Sequence, residues 1–184
     1  QGLAHAQASV GAMYHRGLGV PQDYREAALW YMKAAKQGND LAQYGLGALY
    51  ANGEGVPQNF AEAIRWGRMA AEQGNAAAQF QLGLAYANGD RGVKQDYKEA
   101  VKWYQMAATQ GNALAQCNLA VMYMNGRGVA KDYEQACMWL IISASSGEKE
   151  AEKGLAIVSS QLSRDQIEKA KMLALEWKPT VREK

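Results

Sequence analysis

Histidines, cysteines, spaced carboxylates and glycine-rich loops are the raw material of metal sites, nucleophiles, acid–base pairs and phosphate cradles. The chain holds each of them sparingly. Its two histidines, His5 and His15, lie near the start, and no Cys, Asp or Glu recurs at a ligand spacing from them, so no metal ligand set is assigned. Glu26, Glu62 and Glu99 each follow an Asp or Asn by three residues, a spacing that serves helix capping and leaves no acid–base pair to explain. The loops reading Gly-x-Gly-Val lack the Gly-Lys-Ser/Thr ending whose lysine and hydroxyl serve phosphate and magnesium. Cys117 and Cys137 read as two free, small apolar side chains, although their expected places on adjacent antiparallel helices also admit a disulfide. No Ser-His-Asp arrangement can be nominated, and no catalytic residue, cofactor or metal site is expected.

These residues are positioned by a repeat. The pairs Ala6-Gln7, Ala42-Gln43, Ala78-Gln79 and Ala115-Gln116 follow one another at steps of 36, 36 and 37 residues, and a weaker start lies at Ala151, 36 further on. A fixed period of roughly 20 to 50 residues marks a solenoid, in which each unit buries its apolar face against its neighbours. The first segment of each copy spaces its apolar residues as a helix does: Ala42, Leu46, Leu49 and Tyr50 fall at i, i+4, i+7 and i+8. Gly17, Gly53, Gly89 and Gly126 stand where a left-handed residue ends that helix.

A second helix starts at Asp23, Asn59, Asp96 and Asp132, side chains that accept the free amides of a first turn. With Glu26, Glu62 and Glu99 three residues on, and Gln135 in the fourth copy, the pattern resembles a capping box. Tyr24, Phe60, Tyr97 or Tyr133, then an alanine at i+3 and Trp30, Trp66, Trp103 or Trp139 at i+6, give this helix one apolar face. The tryptophans are expected to be buried. Repeats of about 6–41, 42–77, 78–114 and 115–150 follow, within one expected domain over 1–184.

After the fourth copy the position held by Met32, Arg68 and Gln105 becomes Ile141, which adds apolar surface that something must cover. A degenerate first helix over 150–160, then a helix capped by Ser163 and Gln166 with Ile167, Ala170, Leu173, Ala174 and Trp177 on one side, supplies a terminal cap within 151–178. Among 184 residues the formal net charge is +2, too small and dispersed for a nucleic-acid face or a membrane-binding patch. No apolar run approaches the roughly 20 residues that cross a bilayer. Gln1-Gly2 matches Gln37-Gly38, Gln73-Gly74 and Gln110-Gly111, which predicts that residue 1 belongs to the end of a preceding unit.

The combination Ala-Gln-x-x-Leu-Gly, Tyr-x-x-Gly-x-Gly-Val, Asp-Tyr-x-Glu-Ala, Trp-Tyr and Ala-Ala-x-Gln-Gly-Asn resembles the Sel-one-like repeat family, relatives of the tetratricopeptide repeats. The likeness covers about residues 6–147. Copy three departs from it by one inserted residue in Gly89-Asp90-Arg91-Gly92, which a surface loop tolerates. The resemblance implies an all-α, right-handed α/α superhelix used as an adaptor for protein partners. Such adaptors are common in bacteria, in signalling or host contact, in the periplasm or secreted. Cysteine-rich relatives imply an alternative, a weak β-lactamase or penicillin-binding activity; they carry a cysteine pair in each repeat, and this chain does not.

If the first helix packs through positions 1, 5, 6, 8 and 9 of the repeat, positions 3, 4, 7 and 11 point away at 100° per residue. These vary from copy to copy: Ala8, Ser9, Ala12 and Arg16; Tyr44, Gly45, Ala48 and Asn52; Phe80, Gln81, Leu84 and Asn88; Cys117, Asn118, Val121 and Asn125. From them Tyr44, Ala48, Phe80, Gln81, Leu84, Asn118 and Val121 are assigned to a concave face that holds a protein or peptide. Tyr44 and Phe80 read equally well as core between helices, and the asparagines before the glycines as helix ends. A monomer is expected, with end-to-end association as the other arrangement.

Overall fold

The repeated residues do build two helices per copy. The computed structural model describes residues 2–180, which form α1 (Gly2–Arg16), α2 (Tyr24–Lys36), α3 (Asp40–Asn52), α4 (Phe60–Glu72), α5 (Ala76–Asn88), α6 (Tyr97–Thr109), α7 (Ala113–Asn125), α8 (Tyr133–Ser145), α9 (Lys149–Ser159) and α10 (Arg164–Glu176). Gln1, and with it the expectation that residue 1 ends a preceding unit, lies outside the described residues. Among the described residues no helix is long and apolar enough to cross a membrane.

Each second helix begins where the sequence predicts. Asp23 accepts the amides of Arg25 and Glu26, Asn59 that of Glu62, Asp96 those of Lys98 and Glu99, and Asp132 that of Gln135. Each such cap contributes about 1 kcal/mol. The reciprocal half of the expected box differs. Glu62 turns to Arg65, 2.7 Å away, and Glu99 lies 3.7 Å from Lys102. At these exposed starts a cation one turn on competes for the carboxylate with the cap's own amide. The complete box occurs at α10, where Ser163 and Gln166 each accept from the other's backbone amide.

The first helices have caps that the sequence reading missed. The asparagine of each Gln-Gly-Asn triplet closes one helix with its backbone amide, donating to Ala34, Ala70 or Ala107, and starts the next with its side chain, Asn39 taking the amide of Ala42, Asn75 that of Ala78 and Asn112 that of Ala115.

Two compact units divide the chain inside α5: residues up to Leu82 with Asp90–Val93, and Gly83–Gly89 with Lys94 onward. In the first, Ala27, Ala28, Tyr31, Leu46, Leu49 and Trp66 share one buried cluster. The glutamines of the second and third Ala-Gln pairs are buried there too, whereas Gln7 of the first is half-buried. Gln43 donates to the Ala35 carbonyl at 3.2 Å and Gln79 to that of Ala71 at 3.0 Å, so each satisfies a carbonyl in the last turn of the helix before it.

In the second unit Gln116 does the same for Ala108 at 3.0 Å. Trp103, Tyr104, Trp139 and Leu140 are buried. Three of the four repeat tryptophans thus lie where expected, and Trp30 is a correction. It is half-buried, with the Lys33 ammonium 4.3 Å from its ring centroid. Trp66 packs into a cluster with the preceding copy's second helix, whereas no copy precedes Trp30 among the described residues.

The terminal helices cover α8 as its added apolar surface requires. Trp177 meets Trp139 edge-on, 6.0 Å between centroids, and Ile141 and Ile142 line a cavity with Ala174 and Trp177. At the other end of α10, the Glu134 carboxylate accepts from Lys169 at 2.7 Å and from Gln166 at 2.9 Å. Those donors hold its pKa below the ordinary glutamate value, the Lys169 hydrogen bond first.

A carboxyl whose folded pKa is depressed stabilises the fold above its unfolded value, about 4.3, and the contribution is lost as pH falls through the folded value. Glu134→Gln should therefore melt below the unsubstituted protein at pH 7. In thermal melts from pH 7 to pH 3 that gap should close below about pH 4; a gap independent of pH contradicts the clasp.

Candidate functional site

The positions of the first helices assigned to a concave face separate into covered and open ones. In the first unit Tyr44 and Ala48 on α3, and Phe80 and Gln81 at the start of α5, are half-buried. In the second unit Leu84 and Asn118 are half-buried and Val121 is 38 % exposed. Two residues expected on this face are core: Ala8 and Cys117, at position 3, are buried at 6 % and 8 %. Position 3 lies at the edge of the packed stripe, where a short side chain is covered and a Tyr or Phe extends past its neighbours. Gly45, also expected to face outward, is under the Tyr31 ring, and a Cβ built there would be 2.9 Å from it. Asn125 donates to the Val121 carbonyl at 2.9 Å, which is a helix-end role.

Cys117 and Cys137 are free and buried, so the admitted disulfide does not form. Burial pushes both thiols above the ordinary cysteine value. Among the described residues no group of three or more His, Cys, Asp or Glu is gathered to hold a metal ion.

The residue after each tryptophan carries a feature that the sequence reading passed over. It is Tyr31, Gly67, Tyr104 and Leu140 in the four copies, so the Trp-Tyr pattern breaks at Trp66-Gly67 and, with another large side chain, at Trp139-Leu140. Tyr31 lies between Gly11 and Gly45, where added Cβ atoms would stand 2.6 and 2.9 Å from its ring; Tyr104 lies on Gly83 at 2.5 Å. Leu140 meets Gly154 in the same way at 2.8 Å. In copy two the ring is missing, and a Cβ on Gly67 meets nothing within 4 Å. A pocket of about 270 Å³ occupies the space, lined by Tyr44, Gly47, Ala48, Gly67, Gln81 and Arg91 among others, all in the first unit. Arg91, among the described residues the non-glycine one with positive φ, at 52°, belongs to the loop lengthened by one residue in copy three. Its guanidinium donates to Gln81 Oε1 at 3.2 Å.

The model of the Sel1 repeat matches residues 4–39, 40–75, 76–112 and 113–148, the expected copies with starts two residues earlier. Among solved structures, a protective antigen of uropathogenic Escherichia coli strains displaying an SLR fold is 38 % identical. The match covers 96 % of this chain and 38 % of that one, with a TM-score of 0.83. A Sel1 repeat protein from Oxalobacter formigenes is 35 % identical over 94 % of this chain and 70 % of that one, TM-score 0.80. The Helicobacter pylori cysteine rich protein B is 24 % identical over 71 % and 92 %, TM-score 0.56, a likeness of fold alone. No curated protein matches the chain. The expected all-α class of helix-turn-helix repeats is the class of these neighbours. Sel1 repeat proteins generally act in protein–protein interaction, and their scaffold is generally non-catalytic.

The contrast between Gly83 and Gly67 is measurable. Alanine at Gly83 drives a methyl into the buried Tyr104 ring, an overpacking that costs about 1–3 kcal/mol and outweighs the gain in helix propensity. Alanine at Gly67 enters open space on a helix and should stabilise by about 1 kcal/mol. Urea titrations of the two single variants should shift in opposite directions; shifts of the same sign contradict the packing described.

Proposed function

The chain belongs to the Sel1 repeat family, and from that premise we propose that it is a noncatalytic scaffold holding a protein or peptide on the inner faces of its first helices. It spans 38 % of the length of the Escherichia coli antigen it resembles, so its partners are part of this proposal. The observation that supports the reading is the contrast within each copy. Residues that repeat, such as Ala42, Leu46, Ala78, Leu82, Ala115 and Leu119, are buried, and residues that vary at positions 4 and 7 are left partly open where they are larger than glycine.

The contact residues are Tyr44, Ala48, Phe80 and Gln81 in the first unit and Leu84, Asn118 and Val121 in the second. They mix apolar and amide groups without a charge, which suits an extended peptide or the apolar face of a partner helix. Neither nucleic acid nor membrane insertion enters the proposal, and the working form is a monomer. The hydrolytic alternative drawn from cysteine-rich relatives has less to rest on, because the two cysteines here are buried and unpaired.

Affinity capture from the source extract supplies the partner, and the Leu84→Asp/Val121→Asp chain supplies the control. Two carboxylates on this apolar surface should weaken the partner about 30-fold or more while helical content and melting temperature stay nearly unchanged. The same preparation should leave a chromogenic β-lactam unhydrolysed. A folded double variant with undiminished affinity sinks the assignment of this face, and β-lactam turnover that survives repurification sinks the noncatalytic reading.

A further inference from the structure

We propose that the vacancy beside Gly67 receives a tyrosine side chain of the partner, an inference that rests on the scaffold reading and adds one specific contact to it. The argument starts from the neighbouring copies. Tyr31 and Tyr104 show what the repeat places between a first helix and the second helix that follows it: a phenol ring, buried at 6 % and 1 % exposure, lying on the glycine at position 6 of its own copy. Copy two keeps that glycine, Gly47, and lacks the ring.

The two helices close part of the gap, since a Cβ on Gly47 would stand 3.1 Å from the Ala63 carbonyl oxygen and 3.3 Å from the Gly67 amide nitrogen. About 270 Å³ stays open. A cavity of about 150 Å³ holds a benzene molecule, so this one admits a ring with a polar substituent. Its floor and walls come from Gly47, Ala48, Ala63 and Gly67, and Gln81 and Arg91 add polar groups. Arg91 spends one guanidinium donor on Gln81 and carries five in all, so the wall offers N–H groups to a phenol oxygen and a cation to a ring face. An aliphatic side chain would fill the space and leave those donors unused.

The probes are N-acetyl-tyrosinamide and N-acetyl-phenylalaninamide, titrated into the intact chain and followed at the backbone amides of Gly47, Gly67, Gln81 and Arg91 by two-dimensional NMR. The tyrosine probe should give saturable shifts centred on those amides, with a dissociation constant of about 1 mM or higher, as befits so small a ligand. It should bind several-fold more tightly than the phenylalanine probe, and Arg91→Ala should erase that preference. Gly67→Tyr, which fills the vacancy from within, should abolish the shifts, and Gly67→Leu serves the same purpose if the tyrosine variant misfolds. Shifts that persist in a folded Gly67→Tyr or Gly67→Leu chain, or that scatter over the surface, overturn the socket. So does an equal response to both probes. If the probes fail while partner affinity still falls on Leu84→Asp/Val121→Asp substitution, the socket alone is lost and the scaffold reading stands.

Discussion

A phenol ring fits against a helix only where that helix presents no Cβ beneath it. Tyr31 on Gly11 and Gly45, and Tyr104 on Gly83, are the same contact made in different copies, at distances where even a methyl group would collide. The contact sets how closely helices approach, and the paired alanines, Ala34-Ala35 or Ala107-Ala108, continue that closeness along the second helix with no exposed surface left. Around this packing several buried polar groups find partners. Gln43, Gln79 and Gln116 cap carbonyls from inside the core, and the asparagines and aspartates hold the amides at each helix start. A buried amide without such a partner would cost about 1–3 kcal/mol, so the glutamines are as constrained as the glycines.

Much of this was legible in the chain before any coordinate, because a repeat states each rule several times. Asp23, Asn59, Asp96 and Asp132 are helix starts four times over, and Gly53 and Gly126 end helices in the left-handed conformation their spacing implies. What escaped has definite physical reasons. Ala-Gln served as a period marker, yet periodicity cannot tell a buried glutamine from a solvated one. The asparagine of Gln-Gly-Asn stood only as part of the family pattern, and its side chain begins the next helix. The reading at 100° per residue placed Ala8 and Cys117 outward, whereas the boundary of a packed stripe depends on side-chain length as well as angle.

The departure at Gly67 was visible as a broken Trp-Tyr pair, and what could not be read is whether the helices would close over it. They close in part, and a one-residue insertion in the next copy brings Arg91 to the same space. Two irregularities, 24 residues apart in sequence, converge on one pocket. Both departures line that pocket, whereas the buried Ala42, Ala78 and Ala115 recur in copies two, three and four. The same division runs through the proposed contact residues, which are the ones that differ between copies.

Function residing in the non-repeating inward positions is the central claim, and a photo-crosslinking amino acid tests it most directly. Placed at Leu84 in one chain and at the exposed Lys102 of α6 in another, it would be activated in the source extract with excess unlabelled protein as competitor. A discrete, competable adduct from Leu84 and none from Lys102 is the predicted result. An adduct from Lys102 alone, or equal adducts from both, would contradict it.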